Sequence, residues 1–158
     1  MAAEIERKFH LEQAPSWVSE QESRQIEQGY LALADEVEVR IRIADGEPLL
    51  TVKRGGGEVR EEAEVPLNEK QLDALWPFTD SLRLAKTRYS VPLRDRGLTA
   101  EVDVYAGDLE GLVVAEVEFD SPEASEGFQP PDWLGTEVTG DDRFANQSLA
   151  RDGRPADA

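Results

Sequence analysis

The sequence predicts a mainly β fold, an antiparallel sheet of about eight strands with a few short helices. Apolar and charged residues alternate with a period of two along most of the chain, which is typical of strands with two chemically different faces. Turn-forming residues separate these segments at short intervals. Only two segments carry the capping residues and length of a helix, so the helices are expected to lie outside the sheet.

The alternating segments follow one another with short turns between them. Asp45-Gly46 joins two of them as a tight hairpin, and Gly55-Gly56-Gly57 joins the next pair. Eight strands are enough to close a barrel, but alternation alone fits an open sheet equally well. The predicted strands are residues 3–11, 25–33, 36–44, 48–54, 59–67, 84–93, 98–105 and 112–119.

Two helices are predicted by their capping residues. Asn68 can cap a short helix that runs to Trp76, where Pro77 helps to end it. Asp141 or Asp142 can cap a final helix just before the tail. Both helices are expected to cover part of the sheet's apolar face.

Length and composition fit one domain. With 158 residues, 39% of them apolar, we expect residues 1–150 to form a single domain and residues 151–158 to be a frayed tail. No apolar segment approaches the ~20 residues of a membrane-spanning helix, and no signal peptide is visible. The absence of cysteine excludes disulfides and thiolate metal sites and is compatible with a cytoplasmic protein.

The chain is strongly acidic. It contains 34 Asp and Glu residues against 17 Lys and Arg residues, which gives a formal net charge of −17 at pH 7. Such a surface repels nucleic acid and anionic membranes unless basic residues are clustered. We therefore expect neither of them as a partner, and the few basic residues are the more informative ones.

Charged residues are confined to one face of most strands. In the third strand Glu38, Arg40 and Arg42 alternate with valine and isoleucine, because successive side chains of a strand point to opposite faces. Many of the charges are paired by sign, two residues apart. These pairs are Glu4 and Glu6, Arg40 and Arg42, Glu62 and Glu64, Lys86 and Arg88, Glu101 and Asp103, and Glu116 and Glu118.

A sheet with one solvated face gives the same alternation, and for any single strand this is the simpler interpretation. Two observations across the chain weigh against it. Solvated faces usually mix neutral polar residues with charged ones, whereas here nearly every such position is ionised. Like charges two residues apart also repel, which costs stability unless an opposite charge lies between them. A bound metal ion could compensate the acidic pairs and a bound polyanion the basic pairs.

The basic residues match several adjacent phosphates better than one, because arginine presents a fork of donors and lysine a compact charge. Carboxylate pairs supply the hard oxygen ligands that Mg²⁺ or Mn²⁺ prefers. Phosphoryl transfer requires mainly positioning and charge stabilisation, which this set provides. No Cys-His, Ser-His or P-loop motif is present. The basic candidates are Lys8, Arg40, Arg42, Lys53, Lys86 and Arg88.

The first strand carries an E-x-E-x-K motif, Glu4-Ile5-Glu6-Arg7-Lys8, which resembles the signature of the CYTH superfamily, the triphosphate tunnel metalloenzymes. The start of the chain is similar to that of the compact bacterial inorganic triphosphatases. The resemblance extends in order over nearly the whole chain. Its further segments are Gln28-Gly29-Tyr30, Arg40-x-Arg42, Lys53, Glu62-x-Glu64, Lys86-x-Arg88, Glu101-x-Asp103, Glu116-x-Glu118 and Thr139-Gly140-Asp141-Asp142-Arg143.

The resemblance implies an eight-stranded antiparallel β-barrel, closed into a tunnel that holds a divalent metal and a triphosphate. It implies that Lys8 and Tyr30 pair in proton handling and that Glu118 or Glu116 orients the attacking water. The implied metal ligands are Glu4, Glu6, Glu116 and Glu118. The implied phosphate-binding residues are Lys8, Arg40, Arg42, Lys53, Lys86 and Arg88. The implied supporting acids are Glu64 and Asp103.

The leading hypothesis is Mg²⁺- or Mn²⁺-dependent hydrolysis of inorganic triphosphate to phosphate and pyrophosphate by a monomer or homodimer. The alternatives are a class IV-type adenylate cyclase, or a thiamine or nucleoside triphosphatase. Both need a recognition surface for an organic group, whereas the predicted inward positions are nearly all charged. A non-catalytic polyphosphate-binding module would not need so many carboxylates. A β-sandwich with a solvated face and no ligand is the fourth possibility.

Overall fold

The computed structural model describes residues 5–55, 61–94 and 96–158. Nine strands and three α-helices lie within these ranges, together with five short 3₁₀ turns. The strands are β1 (Ile5–Leu11), β2 (Glu22–Ala34), β3 (Val37–Ala44), β4 (Glu47–Arg54), β5 (Glu61–Pro66), β6 (Arg83–Leu93), β7 (Leu98–Tyr105), β8 (Val113–Phe119) and β9 (Thr136–Glu137). The helices are α1 (Glu69–Leu75), α2 (Pro122–Gly127) and α3 (Asn146–Asp152).

The strands form one antiparallel sheet in the order β5-β4-β3-β2-β6-β7-β8-β1-β9. This confirms the predicted mainly β, antiparallel architecture. The hydrogen-bonded ladder differs from a closed eight-stranded barrel, because in the described parts of the chain it ends at β5 on one side and β9 on the other. The short strand β9 pairs with Phe9 and His10 of β1, so part of the free edge of β1 is already occupied.

The outward faces of β1, β6, β7 and β8 form the larger of two apolar clusters. Loops around α2 and the first 3₁₀ turn cover it, with Val18, Phe128 and Leu134 buried in it, whereas α1 has no fully buried residue. The larger apolar cluster is therefore covered mainly by loops and only in part by the predicted helices. The second cluster, in which α3 packs by Leu149, lies at one end of the sheet. No helix in the described ranges has the length and apolar character required to cross a membrane.

Arg7 ties the chain beyond α2 to the first strand. Its guanidinium donates to both carboxylate oxygens of Glu137 at 2.9 and 2.7 Å. It also donates to the backbone carbonyls of Ser125 and Phe128, each at 2.8 Å. The arginine of the E-x-E-x-K motif is thus a structural anchor that holds β9 in place, with its side chain outside the charged face.

The segment that follows α3 differs from the frayed tail predicted for residues 151–158. Helix α3 continues to Asp152, Pro155 is buried, and Ala158 contacts the second apolar cluster. Arg154 donates to the backbone carbonyl of Glu110 at 3.3 Å. These long-range contacts leave no periodic pattern in a short polar segment, so the sequence alone does not indicate them.

Gly29 of β2 faces a space that no larger side chain can enter. A Cβ atom there would lie 2.6 Å from both Cβ and Oγ1 of Thr79, well inside van der Waals contact. Thr79 cannot move aside easily, since its hydroxyl donates to the carbonyl of Trp76 at 2.7 Å and accepts from Arg83 Nε at 2.8 Å.

We expect Gly29→Ala to lower the free energy of unfolding by about 1–3 kcal/mol through overpacking. Gly127→Ala is the matched control, because its added Cβ would meet no atom within 4 Å. Denaturant unfolding of both variants checks this. Equal stabilities for the two variants would contradict the tight contact.

Candidate active site

The charged face of the sheet encloses one cavity of about 730 Å³. Every strand from β1 to β8 contributes to its wall, and residues at the start of α3 line it as well. The sequence-predicted site residues that line it are Glu6, Lys8, Tyr30, Arg40, Arg42, Lys53, Glu64, Arg88, Glu116 and Glu118. Glu4 lies outside the described residues, and Lys86 and Asp103 lie behind the wall.

Positive charge is concentrated on β3, β4 and β6. Arg40 and Arg42 point from β3 into the cavity, with Lys53 on β4 and Arg88 on β6. Burial, followed by the nearby charges of Arg40 and Arg88, lowers the pKa of Arg42 to about 10. Arg42 Nε donates to the side-chain oxygen of Gln28 at 3.1 Å. Like charges are therefore crowded in a partly desolvated space, as expected of a site for a polyanion.

Lys86 and Asp103 form a buried ion pair with Arg88. The ammonium of Lys86 donates to Asp103 Oδ2 at 2.8 Å, while Arg88 donates to both Asp103 oxygens at 2.8 and 2.9 Å. Burial lowers the pKa of Lys86 to about 8, although Asp103 opposes the shift. Burial raises the pKa of Asp103, but Lys86 and Arg88 outweigh it and bring the value to about 2. Of this group only Arg88 reaches the cavity.

Strands β1, β7 and β8 supply one group of carboxylates, and Glu38 of β3 with Glu62 and Glu64 of β5 supplies others. Glu6 lies directly opposite Glu118 in the β1–β8 ladder, and Glu116 lies opposite Lys8 on one side and Glu101 on the other. Residues directly opposite in adjacent strands have Cβ atoms about 4.5–5.5 Å apart, so these carboxylates share one region of the wall. Among the described residues, no group of three or more His, Cys, Asp or Glu side chains is arranged to hold a metal ion.

Lys8 and Tyr30 face the same cavity but have different partners. The ammonium of Lys8 donates to the carbonyl of Phe144 at 3.3 Å and lies 3.6 Å from Glu116. The hydroxyl of Tyr30 accepts from Gln28 Nε2 at 2.6 Å. Burial raises the pKa of Tyr30, and the charge of Glu38 raises it further. The direct pairing of Lys8 with Tyr30 that the resemblance implies is not made in this structure.

Two buried polar atoms in the cavity wall have no hydrogen-bond partner within the described parts of the chain. They are Glu38 Oε2 and Arg40 Nε, which belong to neighbouring inward positions of β3. The two side chains form a long ion pair, with Arg40 Nη1 3.5 Å from Glu38 Oε2. Unpartnered buried polar atoms are costly, so their presence in a charged cavity points to a bound ligand or ordered water.

Several residues of the site were not predicted as members of it. Glu38 shares the inward face with Arg40, so its strand position was the available signal. Gln28 is fully buried and orients both Arg42 and Tyr30. Asn146 comes from α3, where no strand periodicity could have indicated that it faces the cavity.

A family model described as the CYTH domain matches residues 2–139 of the chain. The chain is 43% identical over 148 residues to an inorganic triphosphatase of Nitrosomonas europaea, an alignment that covers 93% of this chain and 96% of the relative. It is 34% identical over 154 residues to an inorganic triphosphatase of Acetivibrio thermocellus, with 96% and 95% covered.

A solved structure agrees with these sequence relatives. The crystal structure of an inorganic triphosphatase superimposes with a TM-score of 0.76 at 41% identity and covers 96% of both chains. The similarity therefore extends over the whole sheet and over the helices beside it.

Proposed function

The chain belongs to the CYTH domain family, and we propose that it hydrolyses inorganic triphosphate to phosphate and pyrophosphate with the help of Mg²⁺ or Mn²⁺. The observation that carries this proposal is a cavity into which β3, β4 and β6 place basic side chains and β1, β7 and β8 place carboxylates. Two relatives and one superimposed structure are inorganic triphosphatases, which supports the same substrate.

The cationic wall suits the three linked phosphates. Guanidinium groups can bind phosphate oxygens with two parallel hydrogen bonds, and ammonium groups add charge without directional constraint. We assign phosphate binding to Lys8, Arg40, Arg42, Lys53 and Arg88. We assign Lys86 to a supporting position, since its ammonium is buried behind the wall and fixes Asp103, which in turn holds Arg88.

The carboxylate wall suits a divalent cation. Mg²⁺ is usually held by one or two carboxylates together with water and substrate phosphate, and the opposed pair Glu6 and Glu118 offers such a set. Glu116 is the next candidate ligand, and the resemblance adds Glu4. A bound Mg²⁺ or Mn²⁺ would neutralise phosphate charge and lower the pKa of a bound water.

The chain's own residues can perform the remaining steps. Glu118 is the more exposed of the two acids of β8 and makes no ion pair with any residue that the structure describes, so its carboxylate can orient the attacking water. Lys8 can direct its ammonium group toward the leaving phosphate, and its ion pair with Glu116 helps to position that group. Tyr30 keeps its proton because its pKa is raised, and it can therefore donate a hydrogen bond within the cavity. We assign a supporting role to Glu64, which lines the cavity from β5.

The lining favours a bare triphosphate over one that carries an organic group. Tyr30 is the one aromatic side chain among the lining residues that the structure describes, and Leu49 and Leu98 are the larger apolar ones. Recognition of adenosine or thiamine requires a more extensive aromatic or apolar surface. Trp17 and Trp133 instead pack against each other on the outer cluster, with ring centroids 5.1 Å apart.

We expect purified protein to release phosphate from tripolyphosphate with Mg²⁺ or Mn²⁺ at least about tenfold faster than from ATP or thiamine triphosphate, and to stop when the metal is chelated. A phosphate-release assay, run beside detection of cyclic AMP, checks this. Cyclic AMP formed from ATP would favour the cyclase. Tight binding of tripolyphosphate without turnover under either metal would favour a binding module.

A further inference from the structure

Asn146 stands where the cavity meets the buried ion pair. It is the first residue of α3 and lines the cavity between Ala145 and Gln147. Its side-chain oxygen accepts a hydrogen bond from the Tyr105 hydroxyl at 2.6 Å. The same oxygen accepts from the ammonium of Lys86 at 3.4 Å. Neither contact belongs to the roles assigned above.

These two neighbours fix the orientation of the Asn146 amide. An ammonium group can only donate, so the amide atom that faces Lys86 must be the oxygen. Tyr105 is buried, and burial, followed by the charges of Asp103 and Glu116, raises its pKa well above the ordinary value, so its hydroxyl keeps a proton to donate. A flipped amide would set its NH₂ group against the ammonium of Lys86, which cannot accept a hydrogen bond. Because the amide oxygen faces Lys86 and Tyr105, we infer that the NH₂ group faces the cavity.

We propose that Asn146 is a substrate-contact residue whose Nδ2 donates a hydrogen bond to a phosphate oxygen of the bound triphosphate. This inference rests on the proposed function and extends it with a neutral, preoriented donor on α3. A donor whose direction is fixed before binding loses little conformational freedom when the ligand arrives. It also directs a phosphate toward the end of the cavity that α3 borders.

The informative variant is Asn146→Asp. It keeps the shape of the side chain and the acceptor for Tyr105 and Lys86, but it replaces the inward NH₂ donor with a carboxylate oxygen that repels phosphate. Asn68→Asp is the matched control, because it adds the same charge at the N-cap of α1, where aspartate caps as well as asparagine. Asn146→Ala and Tyr105→Phe test the donor and its orientation without added charge.

We expect Asn146→Asp to raise the KM for tripolyphosphate about 10- to 100-fold, with kcat within about threefold and an unchanged melting temperature. Asn146→Ala should raise KM by about tenfold, Tyr105→Phe by less, and Asn68→Asp not at all. A KM for Asn146→Asp within twofold of wild type, or a loss confined to kcat, would overturn the proposal. If Asn146→Asp does not fold, the KM of Asn146→Ala decides by the same criterion.

Calorimetric titration with tripolyphosphate separates this inference from the proposed function. Wild type that binds tripolyphosphate without hydrolysing it contradicts the hydrolase, yet weaker binding by Asn146→Asp would still support the contact. Equal binding by both proteins overturns the contact even if hydrolysis is observed. Wild type that does not bind tripolyphosphate overturns both proposals.

Discussion

Asp103→Asn is expected to lower the free energy of unfolding by about 3–5 kcal/mol, because it leaves Lys86 buried without an opposite charge. Lys86 is only 2% exposed and Asp103 1% exposed, so solvent cannot compensate for the missing carboxylate. Asn retains the shape of the side chain, and the effect therefore reports charge rather than packing. Denaturant unfolding at neutral pH measures it.

Two controls make this result specific. Asp108→Asn removes an exposed acid and should change stability by no more than about 0.5 kcal/mol. Lys86→Met in the Asp103→Asn background removes the unpaired ammonium and should recover part of the loss. If Asp103→Asn matches the Asp108→Asn control, the buried pair contributes no net stability and the interpretation is wrong.

The Lys86–Asp103 ion pair also predicts how the stability difference between wild type and Asp103→Asn depends on pH. The folded-state pKa of Asp103, about 2, lies below its ordinary value of 3.8. An acid whose pKa is lowered by folding stabilises the folded state fully at pH values above its unfolded-state pKa. That stabilisation is lost as the pH falls through its folded-state pKa. The stability gap between wild type and Asp103→Asn should therefore narrow as pH falls from 3.8 toward 2.

Glu118→Gln is expected to lower kcat for tripolyphosphate by about 10²- to 10⁴-fold while the fold is retained. Glutamine has the size of glutamate but cannot take a proton from water or provide an anionic oxygen ligand. Stability should stay equal or rise slightly, because the substitution removes a like-charge contact with Glu6 across the β1–β8 ladder. Steady-state kinetics and thermal unfolding check the two parts.

Glu126→Gln is the matched control, an isosteric change of an exposed glutamate on α2 that does not line the cavity. It should behave as wild type in both measurements. If Glu118→Gln keeps kcat within about threefold, Glu118 does not orient the attacking water. If Glu118→Gln unfolds at a lower temperature than wild type, its loss of activity would say nothing about the role of Glu118 in the reaction. Glu116→Gln would then be the variant to test.

The strands could be predicted from sequence because their inward and outward faces differ so strongly in charge. Alternation in β3 correctly placed Arg40 and Arg42 toward the cavity, and the same pattern placed Glu116 and Glu118 on β8. Strand length was harder to predict. Strand β2 begins at Glu22 and its pairing with β3 shifts register between Tyr30 and Ala32, an irregularity that local alternation does not reveal.

Contacts between distant parts of the chain were not predictable in this way. The sequence pattern put Lys86 beside Arg88 on one face, but whether an inward side chain reaches the cavity depends on what fills the space in front of it. Asp103 and Asn146 occupy that space for Lys86. Strand β9 has only two residues, too few for a periodic signal, and its Glu137 accepts hydrogen bonds from Arg7 of β1.

The pairing of β1 with β8 has a consequence for biosynthesis. Glu6 of β1 is synthesised before strands β2 to β7, whereas its partner Glu118 of β8 is synthesised after them. Sheets that depend on such distant partners fold slowly, because a large loop must be ordered before the contact forms. A nascent chain can therefore assemble its cationic β2–β3–β4 hairpins early, while its carboxylate wall is completed last.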